Sequence, residues 1–89
     1  MNHHASSRFW DCYDRLPAEV RKAADAKFVI LKSNPNHPSL HLKQIGKFWS
    51  VRVTKGIRCL ALPVEDGFLW FWIGDHEAYE KLLSSAKGR

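Results

Sequence analysis

The middle of this 89-residue chain has no acidic residue. Residues 26–64 contain neither aspartate nor glutamate but hold seven lysines and arginines, and all nine acids of the chain lie on either side. A surface that only had to stay soluble would mix both signs, whereas a field of one sign attracts polyanions and accelerates their encounter. This absence therefore predicts a surface for nucleic acid or for an acidic protein.

Cysteine is also scarce, since Cys12 and Cys59 are the only two. Two isolated cysteines form neither a zinc motif nor a disulfide framework, so both are predicted to be reduced residues that serve packing. No histidine is spaced from carboxylates in the manner typical of a metal site. We therefore expect neither a metal nor another cofactor.

Long apolar runs are missing. The longest, such as residues 68–73, are far too short to span a bilayer. Residues 1–7 are polar and are not followed by the apolar segment of a signal peptide. These features predict a cytoplasmic protein without membrane contact. Residues 1–89 are expected to form a single domain, because a chain this short needs a rich core and 45% of its residues are apolar.

The period of the apolar residues changes along the chain from helical spacing to alternation. Asp75 is a plausible N-cap for a last helix. The predicted helices cover residues 7–15, 17–32 and 76–86, and turn-forming residues fill 33–39. The predicted strands cover residues 40–45, 48–53, 57–64 and 68–73. The fold class is therefore α+β, with an N-terminal helical hairpin, a four-stranded antiparallel β-meander and a C-terminal helix.

The turn between the second and third predicted strands decides which side chains share a face. A two-residue turn mixes charged and apolar residues on both faces. A three-residue turn, residues 54–56 with Gly56 left-handed, makes one face apolar throughout. We predict this second register, which pairs Val53 with Ile57 and sets Arg52 directly opposite Arg58 on the other face. Like charges opposed across strands destabilise a sheet by up to about 1 kcal/mol.

A sequence that breaks a local rule in this way often does so at a functional site. Two adjacent guanidinium groups form a fork for a phosphate or for a partner's carboxylate. The alternative is that both arginines are merely solvated or pair with acids of the last helix. His76, at the start of that helix, is a candidate for proton transfer. The predicted nucleic-acid-binding residues are His41, Lys43, Lys47, Arg52, Lys55 and Arg58.

Six segments of the chain form an ordered set. They are Leu16-Pro17, Asn34-Pro35, residues 42–45, residues 49–53, Ile57-Arg58 and residues 72–79. This set resembles the RelE/ParE toxin superfamily of bacterial type II toxin–antitoxin systems. The resemblance covers roughly residues 9–83, and no single motif in it is diagnostic.

The resemblance implies a helical hairpin on a curved antiparallel sheet and a cognate antitoxin as partner. RelE-like members of the superfamily cleave mRNA on the ribosome, and ParE-like members inhibit DNA gyrase. We expect a ribosome-dependent mRNA endoribonuclease, with a gyrase inhibitor or an inactive antitoxin-binding module as alternatives. The catalytic residues that the resemblance implies are Arg58, His76, Arg52, Lys43 and Tyr79. Some members use a carboxylate as the general base. The acid-free stretch excludes such a carboxylate here, so His41, Lys43 or His76 would have to serve as the base.

Overall fold

A five-stranded sheet separates two helical layers in the computed structural model, which describes residues 2–87. The helices are α1 (Ser7–Asp14), α2 (Ala18–Ser33) and α3 (His76–Lys87), with a 3₁₀ turn at Pro38–Leu40. The strands are β1 (Asn2–Ala5), β2 (Lys43–Ile45), β3 (Phe48–Thr54), β4 (Ile57–Val64) and β5 (Gly67–Asp75). Their order across the sheet is β1-β5-β4-β3-β2. The α+β class with its helical hairpin, antiparallel meander and closing helix is confirmed.

The helices begin where local hydrogen bonding allows them to. Ser6 caps α1, because its Oγ accepts a hydrogen bond from the backbone N–H of Phe9 at 3.2 Å. Asp75 caps α3 in the same way through the N–H of Ala78 at 2.8 Å, as predicted. No helix within residues 2–87 is both long enough and apolar enough to cross a membrane.

The strand β1 is an addition to the predicted meander. It lies parallel to β5, and its polar side chains are held by the turn between β4 and β5. Asn2 Nδ2 donates to Asp66 Oδ2 at 2.8 Å, and His4 Nε2 lies 3.1 Å from Asp66 Oδ1. These hydrogen bonds lower the pKa of Asp66. Gly67 allows this approach, since a Cβ there would lie 1.9 Å from the carbonyl oxygen of Asn2.

The first predicted strand is shorter than expected. Residues 40–45 were predicted to be extended, but only Lys43–Ile45 pair with β3. Leu40 ends the 3₁₀ turn and is fully buried, and His41 adopts a left-handed conformation with φ 47°. The cause is local, because Pro38 starts a turn whose last N–H, that of His41, bonds back to the carbonyl of Pro38.

The predicted pairing of β3 with β4 is confirmed except at its turn. Arg52 lies opposite Arg58, with Val51 opposite Cys59. The extra residue is placed differently: Thr54 pairs with Ile57, and the irregularity falls between Arg52 and Thr54. The expected Val53–Ile57 pair and the expected left-handed Gly56 were wrong. The physical reason is that a bulge in the strand keeps Val53 buried as effectively as a longer turn does.

The two faces of the sheet bury separate clusters. The hairpin face, which α1 and α2 cover, carries the larger core. Its strand residues include Val51, Val53, Cys59, Ala61, Trp70 and Ile73. The arginine face carries Arg52 and Arg58, and beside them a smaller core in which Leu60 and Trp72 pack against Tyr79 and Leu83 of α3. An apolar cavity of about 300 Å³ lies on the hairpin face. It is on the opposite side of the sheet from Arg52 and Arg58.

Candidate functional site

The candidate site is the part of the arginine face that α3 leaves open. Arg52 and Arg58 are directly opposed in the antiparallel ladder, so their side chains leave the same face of the sheet. Both are half-buried. Lys43 pairs with Ser50, which precedes Arg52 by two residues on β3 and therefore shares its face. Three cationic side chains from three adjacent strands thus emerge from one face.

The guanidinium of Arg58 binds the turn of its own hairpin. Its Nη1 lies 2.8, 3.0 and 3.2 Å from the carbonyl oxygens of Thr54, Lys55 and Ile57, and because this nitrogen carries two hydrogens, one N–H is shared between two of these acceptors. Charge-assisted hydrogen bonds of this kind are stronger than neutral ones. Arg58 therefore stabilises the β3–β4 turn while it presents charge at the surface.

Arg52 has fewer contacts within the protein. Its Nη1 lies 3.5 Å from Nε2 of His41, a long contact in which the guanidinium can only donate. His41 is exposed and lies outside the strand that was predicted to carry it. The left-handed turn nevertheless brings it to the arginine, so the expected proximity of these two residues holds for a different structural reason.

Neither arginine pairs with a carboxylate among the side chains that the structure describes. The acids of α3 bind on their own helix, where Glu80 lies 3.7 Å from His76 and Glu77 lies 3.9 Å from Lys81. The alternative in which acids of the last helix neutralise the arginines is thus not the arrangement present. Two opposed cations without a counterion form an attractive position for an external anion.

A backbone hydrogen bond of His76 holds the start of α3 beside the candidate site. The N–H of His76 donates to the carbonyl of Gly56 at 2.8 Å, which fixes the start of α3 against the turn that Arg58 caps. The imidazole is exposed and stacks on the ring of Tyr79 with 5.9 Å between centroids. This places His76 at the edge of the arginine face with its ring open to solvent.

Tyr79 lies in the core of the arginine face. It is 4% exposed, and its hydroxyl donates to Oγ of Ser50 at 3.2 Å. This contact gives both buried hydroxyl groups a partner. The geometry therefore assigns Tyr79 a packing role and places its hydroxyl away from the open part of the face, so its catalytic role stays a prediction that the placement does not support.

The remaining predicted residues lie at the ends of the strands. Lys47 follows Gly46 in the β2–β3 turn, and its ammonium lies 5.5 Å from the centre of the Phe48 ring. Lys55 lies in the β3–β4 turn and is exposed. These two turns are at opposite ends of β3, so Lys55 adjoins Arg52 and Arg58 whereas Lys47 lies apart from them.

Comparison with known proteins identifies the architecture. No protein-family model and no curated protein sequence matches the chain. Solved structures do match over most of their length. A chain of the RelB–RelE antitoxin–toxin complex from Methanococcus jannaschii aligns with a TM-score of 0.69 at 13% identity, covering 89% of this chain and 96% of that one.

Two further structures agree. The YoeB/ParE toxin from Agrobacterium tumefaciens aligns with a TM-score of 0.66 at 18% identity, covering 85% of this chain and 99% of that one. A mutant of the E. coli toxin RelE in the free state gives 0.64 at 17% identity, with 93% and 88% covered. The resemblance predicted from the sequence is confirmed at the level of architecture: this chain has the fold of the RelE, YoeB and ParE type toxins.

Proposed function

We propose that this protein is the toxin of a toxin–antitoxin pair and that it cleaves mRNA on the ribosome. The observation that carries the proposal is the opposition of Arg52 and Arg58 on one face without a carboxylate partner among the described side chains. An arrangement that destabilises the free sheet is favourable once a phosphate lies between the two cations. The similarity of the fold to RelE and YoeB toxins supports the same assignment.

The reaction needs charge stabilisation and two proton transfers. The 2′-oxygen of a ribose attacks the adjacent phosphorus, the bond to the 5′-oxygen of the next nucleotide breaks, and a cyclic phosphate and a 5′-hydroxyl result. Arg52 and Lys43 stabilise the additional negative charge of the transition state. Arg58 keeps the β3–β4 hairpin that carries Arg52 in place and adds charge of its own. His76 is the candidate acid or base, because its imidazole is exposed beside the β3–β4 turn.

The partner that controls this activity is a cognate antitoxin. Support comes from the RelB–RelE complex, in which a chain of the same fold is solved together with its antitoxin. An acidic antitoxin segment has the charge that a field of lysine and arginine attracts.

A translation extract programmed with a defined mRNA tests the function. The wild type is expected to cut the message at positions that primer extension maps, and Arg52→Ala and His76→Ala are expected to reduce cutting by about 100-fold or more. Lys22→Ala is the matched control, because Lys22 is an exposed cation of α2, which covers the opposite face of the sheet. Equal cutting by all four proteins would contradict the site.

The alternatives give different results in the same preparation. A protein that leaves mRNA intact but stops supercoiling by DNA gyrase is the ParE-like inhibitor. A protein that does neither and still binds its antitoxin is the inactive module.

A further inference from the structure

The loop between α2 and β2 forms a polar pocket at the edge of the arginine face. The pocket has a volume of about 190 Å³, about six times the share of one water molecule in the liquid. This is enough for one planar heterocycle. We call it the loop pocket, and it is lined by Pro35, Asn36, His37, Pro38, His41 and Leu42.

Hydrogen bonds fix the tautomer of one histidine in this pocket. The backbone N–H of Ser39 donates to Nδ1 of His37 at 3.2 Å, and the Ser39 hydroxyl lies 2.9 Å from the same nitrogen. A backbone N–H can only donate, so Nδ1 must accept. In the neutral ring the proton is then on Nε2, which becomes a donor. Asn36, with an amide that both donates and accepts, lines the same pocket.

The second histidine joins the loop pocket to the arginines. His41 lines the pocket, and its Nε2 lies 3.5 Å from Nη1 of Arg52. Its backbone also has φ 47°, a value that residues other than glycine rarely adopt. Such a conformation persists only where the surroundings hold it, and it is concentrated at sites that bind ligands. A ligand in the pocket therefore lies one side chain away from the proposed phosphate position.

We propose that the loop pocket receives one base of the RNA whose phosphate lies at Arg52. This inference rests on the function proposed above and adds the way in which a nucleotide is oriented. Proteins read single-stranded RNA by stacking separated bases on rings such as histidine and by hydrogen bonds to the base edges. The donor on His37, the amide of Asn36 and the imidazole of His41 supply both kinds of contact.

Titration of the intact protein with small fragments of RNA tests this proposal. The probes are adenosine 5′-monophosphate and ribose 5-phosphate, in which a hydroxyl at C1 replaces the base. Binding is followed by NMR shifts of the protein amides and imidazoles. We expect the nucleotide to bind the wild type at least about fivefold more tightly than the sugar phosphate. His37→Ala and His41→Gly are each expected to reduce this ratio towards one. His41→Gly keeps the left-handed turn, because glycine adopts it without strain.

The controls separate the pocket from the phosphate site. Arg52→Ala should weaken both ligands by the same factor, and His4→Ala, which removes an exposed histidine from the opposite edge of the sheet, should change neither. A ratio near one in the wild type, or a ratio that survives both pocket variants, overturns the inference and leaves the phosphate site standing. If neither probe shifts residues of the arginine face in the wild type, the proposed function fails together with the pocket.

Discussion

The two opposed arginines should differ in what they contribute to stability. Arg58 makes three hydrogen bonds to carbonyl groups, whereas Arg52 makes one long contact with an imidazole. Hydrogen bonds that involve a charged group contribute about 1.5–3 kcal/mol when buried. Arg58 is only half-buried, so solvent weakens its hydrogen bonds. We therefore take about 2 kcal/mol as the combined contribution of these hydrogen bonds to the free energy of unfolding, which is less than the sum for separate buried bonds.

Relief of repulsion offsets part of that loss. The opposed pair costs up to about 1 kcal/mol, and either truncation removes this cost. Arg58→Ala should therefore lower the free energy of unfolding by about 1–1.5 kcal/mol, which corresponds to a fall in Tm of roughly 5–10 °C for a domain of this size. Arg52→Ala should change the free energy by no more than about 0.5 kcal/mol.

A double-mutant cycle isolates the repulsion itself. In the doubly substituted protein the repulsion is relieved only once, so its loss of stability should exceed the sum of the two single losses by up to about 1 kcal/mol. Urea denaturation followed by circular dichroism measures all four proteins, and added salt should shrink the excess by screening. Equal losses from Arg52→Ala and Arg58→Ala, or a wild-type Tm for Arg58→Ala, would show that the contacts of Arg58 with the turn do not stabilise the hairpin.

Three further predictions concern the rest of the sheet. Gly67→Ala places a methyl group against the carbonyl of Asn2, so β1 should detach and its backbone amides should lose protection in hydrogen exchange. Tyr79→Phe leaves the buried hydroxyl of Ser50 without its donor, which should cost about 1 kcal/mol of stability but leave mRNA cleavage unchanged. Burial lowers the pKa of His3 below 6.5, the value for a free imidazole. The contribution of neutral His3 to the free energy of unfolding should therefore be complete above pH 6.5 and decline as the pH falls from that value towards the folded-state pKa.

Matched variants control these predictions. Gly56→Ala tests the glycine effect, because a Cβ there meets nothing within 4 Å, and it should leave β1 protected. Loss of cleavage in a folded Tyr79→Phe protein would show that the hydroxyl of Tyr79 takes part in catalysis. For the pH effect, His3→Gln should flatten the decline between pH 6.5 and 5, and an unchanged slope in that variant would show that another group is responsible.

The sequence predicted the strands whose partners are adjacent in the chain. Alternation and the need for one apolar face were enough to set Arg52 against Arg58. The position of the extra residue of the hairpin did not follow from alternation, because a bulge at Val53 and a longer turn bury the same side chains. The alternation of apolar residues predicts the face on which a residue lies more reliably than it predicts the local path of the backbone.

Contacts between distant parts of the chain account for what the sequence did not indicate. The strand β1 is polar, and His4 and Asp66, which hold it in place, are 62 residues apart. The burial of Tyr79 against Ser50 depends on tertiary packing, which residue spacing does not encode. The orientation of Arg58 towards its own turn is a local contact, but alternation predicts only the face of a side chain and not its direction along the strand. The candidate site was therefore predictable as a set of cations on one face, but not in the role of each member.

The rate of mRNA cleavage by the Arg52→Ala protein shows whether the arginine face binds the scissile phosphate. In a reconstituted translation reaction under single-turnover conditions, this variant should keep a Tm close to that of the wild type while its cleavage rate falls by about 100-fold or more. Cleavage at the wild-type rate by a folded Arg52→Ala protein would contradict the assignment of the arginine face as the site that binds the scissile phosphate.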